Sequence, residues 1–256
     1  MRKPKSDLMP GFFTADQVIR RRMKTGITAI DELLDGGLEC GLTHLFYGAK
    51  GLHDDLLKMT VHTQVPEDKG GIGTPVIIID SANMLKIEKM TDFAFEFELE
   101  PEEVMDNIYI TRAFNSSQTY DLVMSQLDEF FQRVPARLLL VTGLPDLYIK
   151  EGMTGEGAQH LTHMATRLMT FTLQRELFTV ISAPPADKNQ NVPVGGKALA
   201  SCAQVHVQVD EQKSYFRYTL AKHPNLPIRR TSRSKPVSFG TTLPLSHFIG
   251  SEDEKE

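Results

Sequence analysis

The chain has no tryptophan and only two cysteines in 256 residues. Cys40 and Cys202 lie far apart, with no C-x-x-C pair and no histidine at ligand spacing. That excludes a disulfide scaffold and a thiolate metal knuckle, and it fits buried thiols in a reducing, cytoplasmic setting. No stretch approaches the roughly eighteen apolar residues that a membrane span needs. The start, Met-Arg-Lys-Pro-Lys-Ser-Asp, lacks the apolar run of a secretory signal. Net charge is −5, which argues against wholesale coating of nucleic acid. Hydrophobic content of 41% and charged content of 24% are ordinary for a soluble globular protein with a sizeable core.

The hydrophobic pattern divides the chain into alternating short strands and helices. Val76–Ile79 is a continuous β-branched run ending at Asp80, which predicts a strand buried on both faces. Thr43–Tyr47, Asn107–Thr111, Arg137–Val141 and Phe178–Ser182 read as further strands. Helices are predicted over Ala15–Met23, Ile27–Leu34, Asp54–Gln64, Met84–Phe97, Thr119–Phe131 and Ala158–Leu177. Val205–Val209 and Tyr215–Ala221 alternate like an antiparallel pair. The sum is an α/β domain with a mostly parallel sheet flanked by helices and an antiparallel edge. Residues 1–25 form a basic lead with seven Lys/Arg against Asp7 and Asp16. Residues 26–228 form the core, and 229–256 a basic and then acidic extension. Asp187–Val194 reads as a loose loop, and Ser251–Glu256 as a disordered tail.

The segment Tyr47–Leu57 stands where a phosphate-binding loop belongs and carries the wrong charge. A functional loop reads G-x-x-x-x-G-K-[ST], so that backbone N–H groups wrap the phosphates, Lys meets their charge and the hydroxyl holds Mg²⁺. Gly48 is kept, with a loop glycine at Gly51, but His53, Asp54 and Asp55 replace the closing Gly-Lys-Ser/Thr. Two carboxylates are thus expected where phosphates would sit, capping the helix that phosphate would otherwise cap. Lys50 is a solvated loop charge or, in a rival reading, a displaced phosphate lysine.

Several landmarks in order give the chain a family resemblance. Thr25-Gly26-Ile27 through Leu33-Leu34-Asp35-Gly36-Gly37-Leu38-Glu39 is followed by Leu45-Phe46-Tyr47-Gly48. Then come Leu99–Tyr109 and Arg112-Ala113-Phe114-Asn115-Ser116, Gly195-Gly196, and His223–Pro227. Over roughly residues 11–227 the chain resembles the archaeal and eukaryotic branch of the RecA/RadA strand-exchange recombinases. The resemblance implies a RecA-like P-loop NTPase core; the family's N-terminal helix-hairpin-helix domain has no counterpart here.

The resemblance also implies which positions should carry catalysis, and each departs from the pattern. Ala82 stands where a carboxylate orients the attacking water, and Thr142 where an aspartate ends the Mg²⁺-supporting strand. The γ-phosphate-sensing amide falls near Ala183-Pro184. Phosphoryl transfer is positioning and charge stabilisation, so these losses add to Asp54 and Asp55 and predict a pseudo-ATPase without ATP or Mg²⁺ as cofactor. Gly11-Phe12-Phe13-Thr14-Ala15, by contrast, keeps the family's Phe-x-x-Ala polymerisation element at Phe12 and Ala15. By resemblance its receiving pocket lies near Tyr109–Ala113, with Tyr109 and Ala113 as interface residues, and Tyr120–Phe131. The alternative is that Phe12 and Phe13 pack on this chain's own surface.

DNA contact is less well supported. Glu156 replaces the arginine of the family's first DNA loop, and the second, 186–192, carries one base and one acid. Arg20, Arg21 and Arg22, and Arg229, Arg230, Arg233 and Lys235, could supply phosphate contacts or be solvated charge runs. His160 and His163 share a helix without a carboxylate partner and read as surface or interface histidines, with no metal. The function expected is a non-catalytic paralogue accessory to DNA recombination and repair, docking on an active recombinase or on itself. The rivals are an ATP-binding protein using Lys50 and a DNA-binding module using the basic clusters.

Overall fold

The computed structural model describes residues 21–186 and 189–235. In chain order the strands are β1 (Arg22–Met23), β2 (Leu38–Glu39), β3 (Thr43–Gly48), β4 (Val76–Asp80), β5 (Ile108–Arg112), β6 (Leu138–Thr142), β7 (Phe178–Ala183), β8 (Pro185–Ala186), β9 (Asn189–Pro193), β10 (Val205–Glu211), β11 (Tyr215–Lys222) and β12 (Arg229–Ser234). The helices are α1 (Thr28–Leu33), α2 (Leu52–His62), α3 (Ile87–Glu96), α4 (Pro101–Asp106), α5 (Ser116–Asp121), α6 (Leu127–Arg133), α7 (Asp146–Lys150), α8 (Gly155–Arg175) and α9 (Gly196–Cys202). A π-helical turn, Leu122–Gln126, joins α5 to α6.

One sheet of order β12-β11-β10-β3-β7-β6-β4-β5 organises the whole. From β10 to β5 every pairing is parallel; β11 and β12 add antiparallel at one side. Because successive side chains on a strand face opposite ways, the apolar runs feed both faces. Val76, Ile78, Leu138 and Leu140 enter one cluster with α1 to α4. Ile77, Ile79, Leu139 and Val141 enter the other with α6 to α8. The uninterrupted Val-Ile-Ile-Ile of β4 is therefore what a strand covered on both faces requires.

Three expectations change. Arg22–Met23 pairs as a strand with β2 and does not continue a helix. Residues 189–193 pair with β8, so part of the expected loose loop is a short hairpin. Residues 229–234 form the outermost strand of the sheet, in register with β11 from Leu220↔Arg229 to Tyr215↔Ser234, so the sheet runs past the boundary expected at 228. That strand lacks apolar residues because one face and one edge look to solvent. Both cysteines are free and half-buried. Phe12, Ala15 and Arg20 lie outside the described residues. No helix among the described residues is long and apolar enough to cross a membrane.

Candidate functional site

The glycine loop leaves β3 at Gly48, whose φ of 132° is open to glycine and strained for other residues. A Cβ there would come 2.1 Å from the Val209 carbonyl oxygen, so glycine is what lets the loop lie on β10. The Ala49 N–H donates to that same carbonyl at 2.9 Å. Two further N–H groups are turned onto the loop itself: Leu52 donates to Ala49 O at 3.1 Å and His53 to Lys50 O at 3.0 Å. Gly51 carries the ring of Phe216, which a Cβ would meet at 2.3 Å. Arg233 and Lys235 stand over that ring at 5.5 and 5.1 Å. Lys50 is exposed.

The two aspartates have different fates. Asp54 is 40% exposed and pairs with Lys86 at 3.3 Å. Asp55 is buried and turns toward the antiparallel edge, where it accepts a hydrogen bond from the Tyr218 hydroxyl at 2.7 Å and pairs with Arg233. Neither caps α2: its N-cap is Gly51, with no side-chain bond. The expected pair of carboxylates at a shared mouth is thus corrected to one surface ion pair and one internal one. The reason is cost, since a buried carboxylate must be paired and hydrogen-bonded, and β11 and β12 supply both partners. Burial pushes the Asp55 carboxyl above the usual range, with Arg233 and Tyr218 opposing it. Burial also holds the half-buried His53 ring below its ordinary value.

Beside the loop, the ends of β4 and β6 are closed in the same way. Asp80 is fully buried and accepts from the Thr142 hydroxyl at 2.7 Å and from Met84 N–H at 3.2 Å, with Arg112 at 3.5 Å. The Thr142 oxygen in turn accepts from the Ala82 N–H at 3.4 Å. Asp146, which nothing in the sequence singled out, packs under Gly143 and Ala82 with one carboxylate oxygen buried and unpartnered among the described residues. Burial raises its pKa.

At the far side of the sheet β5 pairs only with β4 among the described residues, which leave its outer edge open. Tyr109 and Ile110 are each 46% exposed there, and Phe114 just beyond is 75% exposed. A cavity of about 390 Å³ opens beside them, lined by Ile77, Tyr109, Ile110, Thr111, Phe130, Arg133 and Val134. Tyr109, expected at an interface, is half-exposed on β5 and lines this cavity. Ala113, expected beside it, is buried and its N–H donates to Asp80 O at 3.2 Å. It closes the end of β5 onto β4 and packs into the second apolar cluster.

The basic candidates are mostly engaged within the chain. Arg22 pairs with Asp35 and Glu39, both at 3.1 Å, and Arg21 with Glu67. Arg233 holds Asp55, Lys235 pairs with Glu211 at 2.7 Å, and Arg229 Nε donates to Leu33 O at 2.8 Å. Arg230 alone of these projects to solvent without a partner among the described residues. Arg21, Arg22, Arg233 and Lys235 are therefore corrected from free cations to fold-building pairs, because their charges face acids that the sequence places 13 to 178 residues away. Glu156, expected in the first DNA loop, stands in the first turn of α8 and lies 3.8 Å from His160. His160 stacks on Tyr120 at 4.1 Å, and His163 Nδ1 lies 3.3 Å from the Tyr120 hydroxyl. Among the described residues no group of three or more His, Cys, Asp or Glu is placed to hold a metal.

This topology, with a glycine loop between β3 and α2 and an antiparallel edge after β10, coincides with a family match. The model of the Rad51 family fits residues 16–233. The chain belongs to the Rad51 family. The match ends inside β12, so the Rad51 domain includes the strand that carries Arg233. It also begins ahead of β1, after Ala15. The RecA-like core and its mostly parallel sheet are therefore those of this family, whose members oligomerise and form filaments.

Proposed function

We propose that this Rad51-family chain is a non-catalytic accessory in DNA recombination and repair that acts by docking, either on an active recombinase or on itself. The observation that carries the reading is the Asp55–Arg233–Tyr218 contact, which fills the glycine loop's first helical turn from within. The residues present do not fit a Mg²⁺-nucleotide. Three N–H groups of the loop are bonded to protein carbonyls, Phe216 covers Gly51, and Asp54 offers charge of the phosphate's own sign. A unit like-charge contact at 4 Å costs up to about 4 kcal/mol at an effective dielectric near 20. Thr142 and Ala82 supply no carboxylate for a metal or a water, and Asp80 already has its partners. No hydrolytic step is therefore assigned.

The docking half of the proposal rests on β5. An incoming strand would satisfy its open backbone edge, and a phenylalanine such as Phe12 would fill the cavity beside Tyr109 and Ile110. Open, apolar sheet edges invite pairing and are usually blunted by charge, bulges or cover. This one carries Tyr109, Ile110 and Phe114 instead. Co-purification with an active recombinase from cells that contain both tests this. Phe12→Glu should abolish capture, as should Ile110→Lys on the receiving side. Unchanged capture in both variants rejects docking through this edge.

A further inference from the structure

The outermost strand, β12, carries three hydroxyls, and the sheet treats them differently. Successive side chains on a strand face opposite ways, so Thr231 shares the inward face with Arg229 and Arg233. Ser232 and Ser234 share the outward face with Arg230, and all three are exposed. In register, Ser232 lies opposite Arg217 of β11, and Ser234 opposite Tyr215. Residues paired in this way bring their side chains within contact range on one face. The Arg217 Nη2 donates to the Tyr215 hydroxyl at 3.1 Å, and neither Arg217 nor Arg230 has an ion pair among the described residues. The acid next in that row, Asp210 of β10, stands on the far side of Arg217, two strands or about 9.5 Å from Ser232. Ser232 is thus a hydroxyl set between two guanidiniums that lack a counter-ion.

We propose that Ser232 is a phosphorylation site for an arginine-directed serine kinase, and that the phosphate clamps β12 to β11. Arg229 and Arg230 stand three and two residues before Ser232. Charge placed just upstream of a hydroxyl is how kinases choose among substrates. Ser234 has Thr231 and Ser232 at those positions, and Thr231 faces inward. The strand is already extended, and β11 is its one neighbour in the sheet among the described residues. Arg229 Nη2 and Arg233 Nε are buried without a partner among the described residues. Such donors cost stability, so this edge lifts into a kinase groove more easily than a fully satisfied one. In the transfer, Ser232 Oγ bonds to the γ-phosphorus of ATP as the bond to the departing ADP oxygen breaks, and the kinase's base takes the hydroxyl proton. Returned to the sheet, the phosphate brings a charge of about −1.5 to −2 between Arg217 and Arg230, which donate charge-assisted hydrogen bonds to it. Arg233 rides on the same strand, so the clamp also holds Arg233 on Asp55 and reinforces the closed glycine loop.

The test treats the full chain with an arginine-directed serine kinase and Mg²⁺-ATP and maps the phosphate by mass spectrometry. Ser232 should be modified in the wild type and in Ser234→Ala, and Ser232→Ala should remove that phosphate without a new one appearing on β12. Amide hydrogen exchange across β11 and β12 should then slow about tenfold, the effect of one charge-assisted hydrogen bond. Arg217→Gln should remove the slowing while leaving the phosphate at Ser232 undiminished, because Arg217 lies outside the stretch that the kinase reads. Phosphate that spares Ser232 overturns the site. Phosphate at Ser232 with unchanged exchange, or with a slowing that survives Arg217→Gln, overturns the clamp.

Discussion

The glycine loop and the β5 edge stand on the same parallel sheet, and only one of them is closed. At the loop several groups that could greet an anion are engaged by the chain: Val209 O takes the Ala49 N–H, Phe216 lies on Gly51, and Asp55 holds Arg233 and Tyr218. At β5 an apolar cavity and a row of backbone groups are left without partners among the described residues. A fold can dispense with a ligand by replacing its contacts internally.

The comparison breaks most visibly at Arg233. Arg233→Met strands the Asp55 carboxylate and should destabilise the chain by about 3 kcal/mol, the lower end for a broken buried pair because Arg233 is 30% exposed. Urea denaturation reads this directly. The Asp55 pKa lies above its ordinary 3.8 in the folded state, and removing Arg233 raises it further. The folded variant then binds a proton before the unfolded chain does, so its deficit should narrow as pH falls from neutral toward 3.8. Asp55→Leu with Arg233→Met should recover most of the loss.

At the open end, Phe12→Glu should weaken docking by at least about 2 kcal/mol, a thirtyfold or greater loss of affinity, while leaving the urea midpoint unchanged. A fall in that midpoint would mean that Phe12 packs on its own chain.

The strands beneath the loop provide a third contrast. Burial pushes His44 on β3 and His206 on β10 down to about 4 from 6.5. Both rings stay neutral in the fold while the unfolded chain protonates near 6.5. Stability should therefore fall by roughly 5 kcal/mol for the two rings together as pH drops from 6.5 to 4, then level off for these groups. The smallest effect is expected at Arg230, where Arg230→Ala should move stability by less than about 0.5 kcal/mol.

Period and composition carry the parallel core into view from sequence, because Val76–Asp80 and Leu138–Thr142 must be apolar on both faces. They are silent on β12, since Arg-Arg-Thr-Ser-Arg-Ser has neither apolar alternation nor a turn signal pointing to a strand. The same blindness hides the closure of the loop. Asp55 and Arg233 are 178 residues apart, and nothing local marks them as a pair. Tyr218 offered the one usable hint, as a large polar-tipped ring on the inward face of an alternating strand. The exposure of Tyr109 on β5 agrees with an edge position, whereas the burial of Ala113, with its N–H on Asp80 O, had no mark in the sequence.

Calorimetric titration of the intact chain with Mg²⁺-ATP addresses the closed loop most directly. No saturable heat is expected up to millimolar nucleotide, in the wild type or in Arg233→Met, because Asp54, His53 and Phe216 remain in place. Micromolar binding lost on Lys50→Ala would contradict the account, since it would show phosphates held in a loop whose contacts the chain makes for itself.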